Sequence, residues 1–190
     1  MNKFLLAVTP LILQLVILPS AASASALDEI PNYRQYSDTF ASSGQPDEKQ
    51  LKAAANSGVK RVIYLAFTDN ETAIEHEDRT VKKLGMEYIH IAVDFMAPTL
   101  DDFQQFASVM QQAPNRNTLL HCQVNFRASS FSLLYRVIYL DVPVLEAKEA
   151  FDSVWQPNEV WFRFIQSVLK HYDIEHACEG CDWGVNEFIE

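Results

Sequence analysis

Three nearly continuous apolar runs, Arg61 to Phe67, Tyr88 to Val93 and Thr118 to His121, punctuate the chain, and amphipathic stretches of helical period separate them. Runs rich in β-branched and aromatic residues, without polar alternation, suit strands covered on both faces. The stretches between them carry helix punctuation. Pro46, Asp47 and Glu48 open a helix that closes at Gly58, Thr72 to Leu84 ends at Gly85, and Thr99 caps a helix running to Gln112. Three more helices are expected over Ser129 to Tyr139, Pro143 to Val154 and Asn158 to Tyr172. Strands alternating with helices of this length imply right-handed crossovers, hence an α/β three-layer sandwich with a mainly parallel central sheet and extra C-terminal helices. Leu27 to Gln45 reads as an irregular entry with one short strand.

The first 26 residues stand outside that pattern. Met1-Asn2-Lys3 is a short positive start, Phe4 to Leu18 is apolar, and Ala22-Ser23-Ala24 or Ala24-Ser25-Ala26 offers the small residues of a cleavage site. This is the pattern of a secretory signal, and the apolar run is shorter than the ~20 residues a spanning helix needs. The expected organisation is a signal peptide over 1–26, one domain over 27–172 and a tail over 173–190, with periplasmic localisation and no stable membrane anchor after cleavage. A net charge of −10 removes the long-range attraction that would draw the chain to nucleic acid, so no nucleic-acid partner is expected.

An oxidising compartment makes the odd cysteine count informative. Cys178 and Cys181 are close enough to pair locally, which leaves Cys122 as the free thiol. Zinc at the tail, with His171, His176 and Asp182, is the less simple reading because the histidine spacing is irregular. Cys122 lies where strand turns into helix, the place at which parallel α/β sheets bind ligands. Its loop runs Gln123, Val124, Asn125, Phe126, Arg127, Ala128, Ser129. The helix dipole, a neighbouring arginine and inward-facing N–H groups all favour a thiolate there, and the same donors suit an anion with several oxygens. Thiolate plus anion cradle points to in-line attack on a phosphate ester and a cysteinyl-phosphate intermediate, with no metal or cofactor required.

His121-Cys122 with Arg127 and Ser129 resembles the signature loop of the protein tyrosine and dual-specificity phosphatases. Ser43-Gly44-Gln45-Pro46, Gly58-Val59 before Val62-Ile63, Leu84-Gly85-Met86-Glu87-Tyr88 and Arg127-Ala128-Ser129 extend the likeness over roughly Tyr33 to Val154. Together they look like the bacterial phosphatase-like family represented by the amino-terminal domain of beta-lactamase hydrolase-like proteins. The resemblance implies a cysteine-phosphatase (protein tyrosine phosphatase-like) fold and a phosphorylated or other oxyanion substrate. Active members space the loop as C-x5-R, with Gly three residues after the cysteine and Ser or Thr seven after. Here Asn125 stands at the Gly place and Ser129 at the Ser/Thr place, but Arg127 comes one residue early. Either the loop keeps its length and Arg127 points in an altered direction, with Asn125 taking a left-handed backbone, or the loop is contracted.

In the resulting assignment Cys122 is the nucleophile, Arg127 and the loop N–H groups hold the equatorial oxygens, Ser129 assists thiolate release, and Asp94 is the acid. Asp94 ends a strand on the same sheet edge, and Asp94-Phe95-Met96-Ala97-Pro98 resembles the acid loop of dual-specificity enzymes. Two readings compete. The C-x4-R spacing also resembles the rhodanese-type sulfurtransferases, which would carry a persulfide on Cys122, and the scaffold alone would serve an inactive module that binds an oxyanion or a partner. Elsewhere, Glu71, Glu75, Glu77 and Asp78 read as a solvated helix face, Trp155, Trp161, Phe162 and Phe164 as helix packing, and His121 as orienting the loop.

Overall fold

The computed structural model describes residues 26–184. The signal-peptide reading therefore falls almost wholly outside the described residues, as do the last six residues of the tail. Among the described residues no helix is long and apolar enough to cross a membrane.

Five strands form one sheet: β1 (Arg34–Ser37), β2 (Phe40–Ser43), β3 (Arg61–Tyr64), β4 (Glu87–His90) and β5 (Thr118–His121), in the order β1-β2-β5-β3-β4. All neighbours are parallel except β1 and β2. Where one short strand is expected before Gln45 there are two, and the tight β1–β2 turn adds an antiparallel edge. The crossovers are α1 (Glu48–Asn56), α2 (Glu77–Lys83) and α3 (Leu100–Gln112); after β5 come α4 (Phe126–Tyr139), α5 (Val144–Asp152) and α6 (Glu159–His171). The chain is thus an α/β three-layer sandwich with a mainly parallel sheet and two helices added at its C-terminal end.

Local chemistry sets where these helices begin. Asp47 accepts from the Gln50 N–H while the Gln50 side chain accepts from the Asp47 N–H, and Thr99 and Asp102 form the same reciprocal box before α3. α2 is shorter than the apolar spacing suggests. Asn70 Oδ1 holds the Thr72 N–H and hydroxyl in a turn, and His76 takes a left-handed backbone (φ 57°), so helical geometry starts only at Glu77. Gly85, at φ 77°, releases the chain from α2 into β4, where a side chain would be strained.

Alternation along the strands sends side chains to two different layers. Ile63 and Leu120 face a core built with Phe103 and Phe106 of α3, Phe131 and Leu134 of α4, and Trp161 and Ile165 of α6. Ala41, Val62 and Leu119 face the other way, onto Leu51 and Ala54 of α1 and Val81 of α2. The tail is anchored at one residue: Trp183 is buried against Phe151 and Phe162, with the Lys148 ammonium over its ring. Cys178 and Cys181 are joined by a disulfide just before it, and Cys122 is the free cysteine among the described residues.

Candidate active site

The carboxyl ends of β2, β5, β3 and β4 lie side by side, and β5 delivers Cys122 into the centre of that edge. Cys122 is fully buried at the floor of its loop, and its N–H is spent on the Ser43 carbonyl of β2 (3.3 Å). The residues after it form the cradle. The Gln123 carbonyl accepts from the Gln45 N–H (3.0 Å) and the Val124 carbonyl accepts from Asn32 Nδ2 (3.0 Å), both on the outside of the loop. A trans peptide places its N–H opposite its carbonyl, so the N–H groups of Val124 and Asn125 point to the inside. Asn125 is left-handed (φ 71°) and gives α4 no side-chain cap, which leaves the first-turn N–H groups of that helix free for an anion. α1 and α3, whose N-termini face the same edge, are closed by their capping boxes.

Asn125 is therefore left-handed in the place where the phosphatase pattern has glycine, and its amide adds a contact glycine lacks. Its Nδ2 donates to the Asn32 carbonyl (2.5 Å) while Asn32 returns its own amide to Val124, a reciprocal clasp that ties the loop to the segment before β1. Asn32 was invisible in the sequence as a site residue, since 93 positions separate it from Asn125.

Arg127 sits in the first turn of α4, nearly buried. Its Nε donates to the Val93 carbonyl (3.0 Å), its Nη1 to Gln123 Oε1 (3.3 Å), and its guanidinium lies 5.1 Å from the Phe95 ring centroid. The arginine thus bridges the cysteine loop to the Asp94 loop. Asp94 is exposed there and accepts from the Met96 N–H (2.8 Å) in a tight turn, while Trp161 of α6 pins the turn by donating Nε1 to the Phe95 carbonyl (2.9 Å). Phe126 stacks on Trp155 at 4.4 Å between centroids. Ser129 is buried, and its hydroxyl donates to the Phe126 carbonyl (3.2 Å), with no hydrogen bond to Cys122 Sγ.

His121 points to the opposite layer. Its ring stacks on Tyr64, which stacks on His90, one ring from each of three adjacent strands in register. Glu77 Oε1 lies 2.9 Å from His121 Nε2, both residues buried. Glu77 was expected on a solvated face; the late start of α2 turns this residue inward, and its carboxylate sits in the positive first turn of the helix. Tyr64 registers the surrounding charge. Burial pushes its hydroxyl above the ordinary value, Glu77 and Cys122 push the same way, and an Asn70 hydrogen bond and Arg127 oppose them. Among the described residues no group of three or more His, Cys, Asp or Glu side chains is placed to hold a metal ion.

A family model described as DSP-PTPase phosphatase fused to NAD+ kinase matches residues 20–150. No curated protein matches the chain. A protein of the DUF442 phosphatase group from Shewanella putrefaciens CN-32 is similar at 28% identity and a TM-score of 0.71, over 78% of this chain and 97% of that one. Two more distant structures share the fold. PTPMT1 in complex with PI(5)P has 17% identity and a TM-score of 0.62, covering 74% of this chain and 96% of its own. The core catalytic domain of the PP-IP phosphatase SIW14 from S. cerevisiae, in complex with citrate, has 13% identity and a TM-score of 0.59, covering 71% and 83%.

Proposed function

Because the chain belongs to the family described as DSP-PTPase phosphatase fused to NAD+ kinase, we propose that it hydrolyses a phosphate monoester through a phosphocysteine on Cys122. The observation that carries the reading is the outward turn of the Gln123 and Val124 carbonyls around the free cysteine, next to an uncapped helix start. That arrangement supplies inward N–H donors where three equatorial phosphoryl oxygens need them.

In the first step the Cys122 thiolate attacks phosphorus, the P–O bond to the alcohol breaks, and Asp94 gives its proton to the leaving oxygen. In the second step water attacks phosphorus, the Asp94 carboxylate takes the water proton, and the S–P bond breaks to return the thiolate with free phosphate. With Nε of Arg127 held by Val93, the edge offered to the oxyanion is Nη1–Nη2, from which the substrate displaces the Gln123 amide oxygen. Ser129 aids the departing thiolate once its hydroxyl turns from the Phe126 carbonyl. The setting we propose is the periplasm, supported by the signal-like pattern of residues 1–26 and the Cys178–Cys181 disulfide.

Steady-state hydrolysis of phenyl phosphate, whose leaving group needs a proton, by the wild type and by Cys122→Ser, Arg127→Ala and Asp94→Asn tests this. Cys122→Ser abolishes turnover, Arg127→Ala lowers kcat/KM by about 10²–10³-fold and Asp94→Asn lowers kcat by about 10²-fold. Equal activity in all four overturns the mechanism. Intact mass of the protein showing an added sulfur on Cys122, with no ester hydrolysis, would replace it with sulfur transfer.

A further inference from the structure

The loops that leave the carboxyl ends of β2, β3, β4 and β5 span residues 44–47, 65–76, 91–99 and 122–125, and they lie along the same edge of the sheet as Cys122. They contain Asp47, Asp69, Glu71, Glu75 and Asp94, all exposed, and no lysine or arginine. The basic groups nearest in the fold do not offset these charges. Arg127 is nearly buried and belongs to the phosphoryl cradle, Arg34 is held by the Tyr33 carbonyl and by Ser153, and Lys49 and Arg79 follow Glu48 and Asp78 inside their helices. His76, the one histidine in these loops, lies 3.3 Å from Glu75.

The same loops expose apolar side chains. Phe67 after β3, Met96 after β4 and Val124 after β5 retain 45%, 67% and 41% of their accessible surface, although large apolar residues elsewhere are mostly covered. β5, β3 and β4 are neighbours in the sheet, so the three side chains belong to adjacent loops on one rim. A cradle that accepts one dianion thus opens through a rim that is apolar at its surface and negative around it.

We propose that this site selects phosphomonoesters whose organic part is apolar and otherwise uncharged, and turns away substrates bearing further phosphate, sulfate or carboxylate groups. The inference rests on the phosphomonoesterase reading and adds the substrate class. One phosphoryl group finds its charge compensated by Arg127 and the loop amides; a second anion outside the cradle meets only carboxylates, while an apolar body covers Phe67 and Met96.

The test compares 1-naphthyl phosphate with the same ester sulfonated on its far ring, in hydrolysis by the wild-type protein and in binding by naphthalene fluorescence. Because the repulsion acts through water between exposed charges, kcat/KM favours the unsulfonated ester by about tenfold near 0.01 M ionic strength, and the ratio falls toward unity at about 0.5 M. Phe67→Ser combined with Met96→Ser lowers kcat/KM for naphthyl phosphate by about tenfold and leaves methyl phosphate within about twofold. Equal or better turnover of the sulfonated ester overturns the selectivity and leaves the phosphatase reading standing. Preferential binding of the unsulfonated ester without turnover of either supports the selectivity and overturns the catalytic reading. Failure of both esters to bind overturns both.

Discussion

Replacing Asn125 separates what its backbone does from what its side chain does. The residue is fully buried, holds φ at 71°, and donates Nδ2 to the Asn32 carbonyl at 2.5 Å. Alanine loses that hydrogen bond, about 1 kcal/mol, and must hold a left-handed backbone against its Cβ, a further ~1–2 kcal/mol, for a total of ~2–3 kcal/mol. Glycine loses the same hydrogen bond but tolerates the backbone, so its cost stays at about 1 kcal/mol. For a domain of this size each kcal/mol moves Tm by about 2–4 °C, so Asn125→Ala melts ~5–10 °C below the wild type and Asn125→Gly ~2–4 °C below it. Urea unfolding, with the slope unchanged, gives the same order in free energy. Tungstate binding follows: glycine keeps the N–H groups inward and retains most of the affinity, whereas the strain alanine carries in that backbone opposes the binding geometry and weakens it. An alanine variant as stable as the glycine variant, or more so, refutes the strained left-handed loop start, and with it the inward direction of the donors.

Two further outcomes follow from the packing. Trp161→Phe deletes the bond to the Phe95 carbonyl while keeping an aromatic ring in the core, and so loosens the turn that presents Asp94. Hydrolysis of phenyl phosphate, whose leaving group needs a proton, falls by about tenfold more than that of p-nitrophenyl phosphate, whose leaving group needs little; an equal fall for both removes the link between Trp161 and the acid. Alkaline titration followed at 295 nm reports on the tyrosines. Burial first of all holds Tyr33 and Tyr139 up to about 12 and raises Tyr36, Tyr64, Tyr88 and Tyr135. Protons held more tightly in the folded chain than at the unfolded value near 10 stabilise it fully below that value, and the contribution is lost as pH rises through the folded values. Urea midpoints are therefore flat up to about pH 9 and decline beyond about pH 10, with phenolate absorbance lagging that of the denatured chain; seven tyrosines ionising together near 10 in a chain that stays folded contradict it.

The parts of this molecule that were legible in its sequence are those that local chemistry decides. The apolar runs of β3, β4 and β5, the helix starts at Pro46 to Glu48 and at Thr99, the stop at Gly85 and the strand-to-helix junction at Cys122 depend on residues a few positions apart. The strand order, with β5 between β2 and β3, depends on pairings across more than fifty residues and left no local mark. The direction of Arg127 shows the same limit. Its spacing from Cys122 flagged an altered grip, but the partner that takes its Nε is a carbonyl of β4's continuation, and main-chain carbonyls have no identity in a sequence. Asn32 closes its clasp on the loop in the same unreadable way, through backbone at one end of each bond.

Glu77 is the instructive failure, because its misreading came from a rule that holds. Charges spaced along a helix usually do face water, and Glu71, Glu75 and Asp78 fit that pattern around it. What the pattern lacked was the phase: a left-handed His76 delays the helix, and the delay rotates one carboxylate of the group onto His121 while its neighbours stay outside. Removing either partner of a buried carboxylate–imidazole pair strands the other, at a cost of about 3–5 kcal/mol. The pair therefore fixes the His121 ring, the ring fixes the end of β5 against Tyr64, and the position of Cys122 at the floor of its loop depends on a residue that local periodicity assigns to solvent.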